Sequence, residues 1–178
     1  EGMGIEGYYH VVCRDAEGNV KWEDQFPNLV VAVGKQLMLD TLLSGTSYTT
    51  VGPFLGLISG SSSTYSASDT MSSHGGWTEF TNYTVGGSAV RGTASFGSAT
   101  SSGTTPSNVT TKTATAITYT ITGAGGTVGG CFLVTGSGAS STQGNTSGTL
   151  YSAGSFSTAK VTTAGDTVSV TYSTTATS

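Results

Sequence analysis

Few residues in this chain are suited to chemistry, and the best placed is His74, in the stretch DTMSSHGGWTEF with Asp69 and Glu79 at either end. A histidine flanked by carboxylates can serve as half of an acid–base pair or join a metal site. The spacing matches no known metal pattern, and such ligand sets usually need three or four members. The bland reading is a capped turn, with Asp69 as a helix cap and Trp77 plugging the end of the fold. Asp69 and Glu79 are also the closest candidates for the paired carboxylates of a carbohydrate-active enzyme. His10 alternates outward on a strand and reads as a structural histidine. The acidic residues Asp15, Glu17, Glu23 and Asp24 fall two to each arm of a hairpin, where edge charges discourage stray pairing.

The other signatures of catalysis are missing from the sequence. Serines are abundant, yet no G-x-S-x-G elbow presents one as a nucleophile. The glycine clusters Gly123–Gly126 and Gly129-Gly130 lie between strand-like runs, with no following lysine. A phosphate loop must open a helix, so these are turns or bulges. Cys13 and Cys131 sit in apolar runs, and nothing suits a signal peptide or a membrane span, so two buried free thiols are expected.

The elements that hold these residues begin with a hairpin. Gly7 to Cys13 alternates, with Tyr9, Val11 and Cys13 on one face and Tyr8, His10 and Val12 on the other. The polar run Arg14 to Asn19 turns the chain, and Val20 to Phe26 returns. From about Val31 to Leu43 the sequence predicts a helix, with Val30, Val33, Leu37, Met38 and Leu42 recurring at helical spacing, Asn28 as N-cap and Gly45 as the C′ residue. Gly34 inside that pattern implies either close packing or a helix that begins only after Gly34. Beyond Gly45 the period is 2. Strands are predicted at Phe54–Ile58, Trp77–Tyr83, Ala89–Phe96 (weakly), Thr113–Thr122, Thr127–Thr135, Thr149–Phe156 and Thr167–Tyr172, with one helical turn at Ala67–His74 and a polar loop at Ser98–Ser107. The fold class is all-β: an antiparallel β-sandwich, jelly-roll-like, with an N-terminal β-hairpin and one short helix.

Charge divides the chain. Ten of the sixteen acidic and basic side chains precede Leu43, and only Asp69, Glu79, Arg91, Lys112, Lys160 and Asp166 follow it. Residues 1–45 read as a charged hairpin plus helix, packed on or capping the main domain, and residues 46–178 as a Ser/Thr/Gly-rich β-sandwich. The net charge of −4 leaves no basic face for nucleic acid. A surface so poor in ionisable groups suits contact better than catalysis, so the chain reads as non-enzymatic, without cofactor or metal. Exposed aromatics and charges make the hairpin the candidate partner-binding surface: Tyr8, Tyr9, Lys21, Trp22 and Glu23.

Several blocks carry a resemblance. They are Gly7-Tyr8-Tyr9, Gly18-Asn19-Val20-Lys21-Trp22-Glu23, Asn28-Leu29-Val30, Phe54-Leu55-Gly56-Leu57-Ile58, Gly148-Thr149-Leu150-Tyr151-Ser152-Ala153-Gly154, and Gly165-Asp166-Thr167-Val168. Together with the Asp69–Glu79 stretch, this pattern resembles small virion structural proteins of tailed bacteriophages. The resemblance implies a virion location and a capsid decoration or cement role, with the major capsid protein as partner and self-association into an oligomer. It implies no direct nucleic-acid or membrane contact and no catalytic residues. A tail- or fibre-associated protein touching the host surface is the alternative.

Overall fold

Strands make up 54% of the chain, against one helix, which fixes the class as all-β. The computed structural model describes residues 4–45, 47, 51–60, 63–102 and 109–177. Two antiparallel sheets pack face to face. The first runs β2 (Val20–Pro27), β1 (Gly4–Arg14), β13 (Thr167–Thr177), β10 (Ile117–Ile121) and β6 (Tyr83–Thr84). β9 (Val109–Thr113) lies beside the far half of β13, and β8 (Thr100–Ser102) beside β9. The second sheet runs β3 (Leu29–Val30), β12 (Thr149–Thr162), β11 (Gly126–Thr135), β4 (Phe54–Ser59) and β5 (Thr78–Phe80), with β7 (Gly92–Thr93) also on β4. Connections pass repeatedly from one sheet to the other.

Period-2 alternation builds the layer between the sheets. Tyr9, Val11 and Cys13 of β1, Tyr119 of β10, and Val168, Val170 and Tyr172 of β13 point inward, onto Leu55, Leu57, Cys131 and Leu133 of the second sheet. Both cysteines are free and buried. The buried tyrosines tie the layers with polar bonds: Tyr9 Oη lies 3.1 Å from Ser152 Oγ, and Tyr119 O–H donates to the Leu55 carbonyl at 2.8 Å. Burial pushes both phenols well above their usual 10, so each stays a neutral hydrogen-bonding group inside the core.

The sheets differ on their outer sides. β10 alternates buried and exposed, as a sheet with one wet face must. β11 is buried along nearly its whole length on both faces. A second apolar cluster explains this: Ile58, Phe132, Val134 and Leu150 on the outer side of the second sheet are covered by Val31, Met71 and Trp77. The stretch 67–74 that supplies Met71 forms turns with a Thr70–Ser73 bridge in place of the expected helical turn.

Helix α1 (Ala32–Leu43) has no side-chain cap, no acid in its first turn and no base in its last. Asn28 does not cap it, because Asn28 Nδ2 donates to Tyr172 Oη. Backbone acceptors from other elements replace the cap: the Val31 N–H donates to the Tyr151 carbonyl and the Ala32 N–H to the Ala67 carbonyl. Gly45 does adopt the left-handed conformation expected after the helix, with φ at +65°. Gly34 is the one buried residue of α1, while Leu42 is exposed and so does not face the core. Other boundaries also shift from expectation. β10 begins at Ile117 and not at Thr113, β12 continues to Thr162, and the Ala89–Phe96 stretch contributes only Gly92–Thr93. The expected loop at Ser98–Ser107 contains β8, and its residues 103–107 lie outside the described residues.

A Cβ at position 34 would stand 2.6 Å from the Tyr151 carbonyl oxygen and 3.0 Å from its Cα. Gly34→Ala gains about 1 kcal/mol of helix propensity, but overpacking against backbone that cannot yield costs about 1–3 kcal/mol. Thermal unfolding is therefore expected to show a lower Tm for Gly34→Ala, and a higher Tm would contradict the tight docking of α1.

Candidate functional site

The covered second sheet leaves the outer side of the first as the open β face, and its register defines three transverse rows. Glu23, Val12, Ser169 and Thr118 form one, Gln25, His10 and Thr171 the next, and Pro27, Tyr8, Ser173 and Thr113 the third. Among the described residues, charge on this face is confined to β1 and β2. On the β13 and β10 side the described outward residues are hydroxyls: Thr167, Ser169, Thr171, Ser173, Thr175, Thr118 and Thr120. Neighbouring hydroxyls bond across strands, Thr118 to Ser169 at 3.2 Å and Thr113 to Ser173 at 3.0 Å. This pre-orders the surface and lowers the entropy lost on contact.

The five hairpin residues separate by strand parity. Tyr8 is 38% exposed and lies on the open face with Glu23, which meets His10 Nε2 at 2.7 Å. Tyr9 corrects the expectation of an exposed aromatic: it is 0% exposed and packs on Phe26 and Tyr172, since adjacent residues of a strand point to opposite faces. Lys21 turns toward the body, donating to Asp166 at 2.6 Å and to Thr163 Oγ1 at 3.2 Å. Trp22 sits edge-on to Phe156 and donates its Nε1–H to the Val161 carbonyl.

The sparse charges of the body turn out to be partners for the rest. Lys160 meets Asp24 at 2.9 Å, Asp166 meets Lys21, and Glu79 meets Arg91 at 2.7 Å. Asp69 accepts from the Ser66 N–H and from Trp77 Nε1, and so fixes the cover of the second sheet. Sequence separations of 12 to 145 residues hid these pairs, because nothing local marks them.

His74 does not join Glu79 in an acid–base pair. Its ring stacks on Trp77 with centroids 3.8 Å apart, and its Nδ1–H donates to the Trp77 carbonyl at 3.1 Å. Glu79 is taken up on both oxygens, by Arg91 Nε, Arg91 Nη2 and the Gly144 N–H. Arg91 also donates to the carbonyls of Ser140 and Asn145, and its guanidinium lies over Phe132. These bonds clamp the 136–148 loop, and the cluster is a structural lock. Among the described residues no three His, Cys, Asp or Glu side chains group as a metal site, and no helix is long and apolar enough to cross a membrane. Family models, curated proteins and solved structures offer no match to the chain.

Arg91 is 0% exposed and Glu79 only 9% at the side chain. Glu79→Gln leaves that guanidinium buried without its counter-charge, an expected cost of about 3–5 kcal/mol, or a Tm lower by about 10 °C at this chain size. An unchanged Tm would refute the lock. For Asp166, burial pushes the carboxyl pKa up, but hydrogen bonds from Lys21 and Thr163 outweigh it and hold the group below its usual 3.8. A depressed carboxylate contributes stability that is present above its unfolded value and lost as pH falls through the folded one. Asp166→Asn is therefore expected to lower Tm at neutral pH, and the gap from wild type is expected to close in acid below about pH 4. A gap that stays constant with pH would rule out this linkage.

Proposed function

We propose that this chain is a non-catalytic virion structural protein of a tailed bacteriophage, acting as a capsid decoration or cement protein. The observation that carries this reading is the open outer face of the first sheet, half of it hydroxyl-bearing and uncharged, on a sandwich whose other sheet is covered. Burying hydroxyls that find partners costs far less than burying charges, so such a face can lie flat on a protein lattice. The charged hairpin supports this, because Lys21 and Asp24 are held by the body and do not project as unpaired charges. Tyr8 and Glu23 remain on the open face as its directional contacts. Repetition of one weak contact over a symmetric lattice would supply avidity, and self-association would add to it. The resemblance of the sequence blocks to phage virion proteins supports the major capsid protein as partner and the virion as location.

Co-sedimentation of the chain with empty heads of the cognate phage tests the proposal. Binding should saturate at hundreds of copies per particle, as an icosahedral lattice offers equivalent sites in that number. Ser169→Arg with Thr171→Arg, folded by circular dichroism, should weaken it by about tenfold or more. Binding that ignores these changes would remove the open face from the interface. Saturation at roughly three to twelve copies on whole virions would assign the chain to the tail or its fibres.

A further inference from the structure

A hollow of about 580 Å³ opens between the C-terminal half of α1 and one end of the sandwich. That volume is within the range of about 300–1,000 Å³ typical of small-molecule sites. Leu37, Met38 and Thr41 of α1 form one wall, and Pro53, Leu133 and Tyr172 stand opposite. The hollow reaches the interior, since Ala94, Leu133 and Tyr172 in its lining are 4%, 2% and 1% exposed. The helix is docked near its start, by Gly34 against Tyr151 and by Val33 on the outer apolar cluster. Residues with an inward helical spacing, Leu37 and Met38, face the hollow where core would otherwise be.

The lining specifies the chemistry of an occupant. Among the described residues, no charged side chain contributes to it. Three of its hydroxyl-bearing residues have internal partners: Thr41 donates to the Leu37 carbonyl, Thr174 donates to the Glu6 carbonyl, and Tyr172 accepts from Asn28, while Tyr151 adds a phenol to the lining. Thr135 is engaged as well. A charged ligand would lose its hydration and find no described counter-charge, and the Tyr151 phenol could offset only a small part of that cost. We infer that this hollow is a binding site for a small, uncharged apolar molecule, such as an aromatic or a medium-length aliphatic compound. Such a molecule would also cover the apolar mouth, where Leu42 is 71% exposed. The site does not depend on the virion role proposed above.

The probe for a test is N-phenyl-1-naphthylamine, an uncharged apolar fluorophore, titrated into the full chain. A saturable one-to-one rise in fluorescence is expected. Thr41→Trp and Met38→Trp, which fill the hollow from the helix side, should each weaken binding by about tenfold or more. Leu43→Ser, at an exposed leucine outside the lining, should leave it within about twofold. In the unaltered protein, methyl NMR should show the Met38 resonance moving on titration while that of Met71, buried in the other apolar cluster, stays. Absence of saturable binding, binding undiminished in both tryptophan variants, equal loss in Leu43→Ser, or a Met38 methyl that does not move would each overturn the site. A dimer that must dissociate on dilution before the probe binds would identify a second copy as the occupant, and would also overturn it.

Discussion

The pairing of β1 with β13 is the constraint on which the other contacts rest. It runs from Gly4 opposite Thr177 to Arg14 opposite Thr167 without a break in register. A one-residue slip would send Tyr9, Val11 and Cys13 to solvent and bring Tyr8, His10 and Val12 into the core. It would also part Tyr9 from Ser152, and so one of the polar ties between the sheets. The hairpin is therefore a structural half of the first sheet, and β13 would be an unpaired edge along one side without it.

From that register follows the difference between the two outer sides. The β1–β13 half sets alternate Ser and Thr outward, and nothing described lies over them. The second sheet presents Phe132, Val134 and Ile58 outward, which demands a cover. The cover is made of loop backbone, and loop backbone has polar groups that must be met. Arg91 and Glu79 meet several of them at once, which is why two charges can remain buried there without net repulsion or an orphaned partner. Charge is scarce in the body because most of what is present is structural, and the described charges there face a partner.

Sequence reading succeeded where one strand carries its own evidence. The alternation of GYYHVVC and ITYTI gave both faces of β1 and β10, and the doubly apolar TVGGCFLVT gave a strand buried on both sides. It failed where a feature is defined by something distant. The last residues of β12, through Thr162, look like loop until Gly126 to Val128 are seen beside them. Asn28 has the chemistry of a helix cap, but Tyr172 holds it instead. Leu37, Met38 and Leu42 have core spacing, yet spacing cannot say that the helix would dock through Val33 and Gly34 and leave them lining a hollow. The candidate surface was half legible: hairpin parity separates Tyr8 from Tyr9, but the hydroxyl side of the face belongs to strands more than a hundred residues away.

The antiparallel match of Gly4 with Thr177 has a mechanical consequence. Neighbouring strands lie about 4.8 Å apart, so the two ends of the described chain leave the domain side by side at one corner. A load applied to both ends would unzip the β1–β13 ladder one pair at a time, whereas a load between either end and a distant surface would shear its hydrogen bonds together.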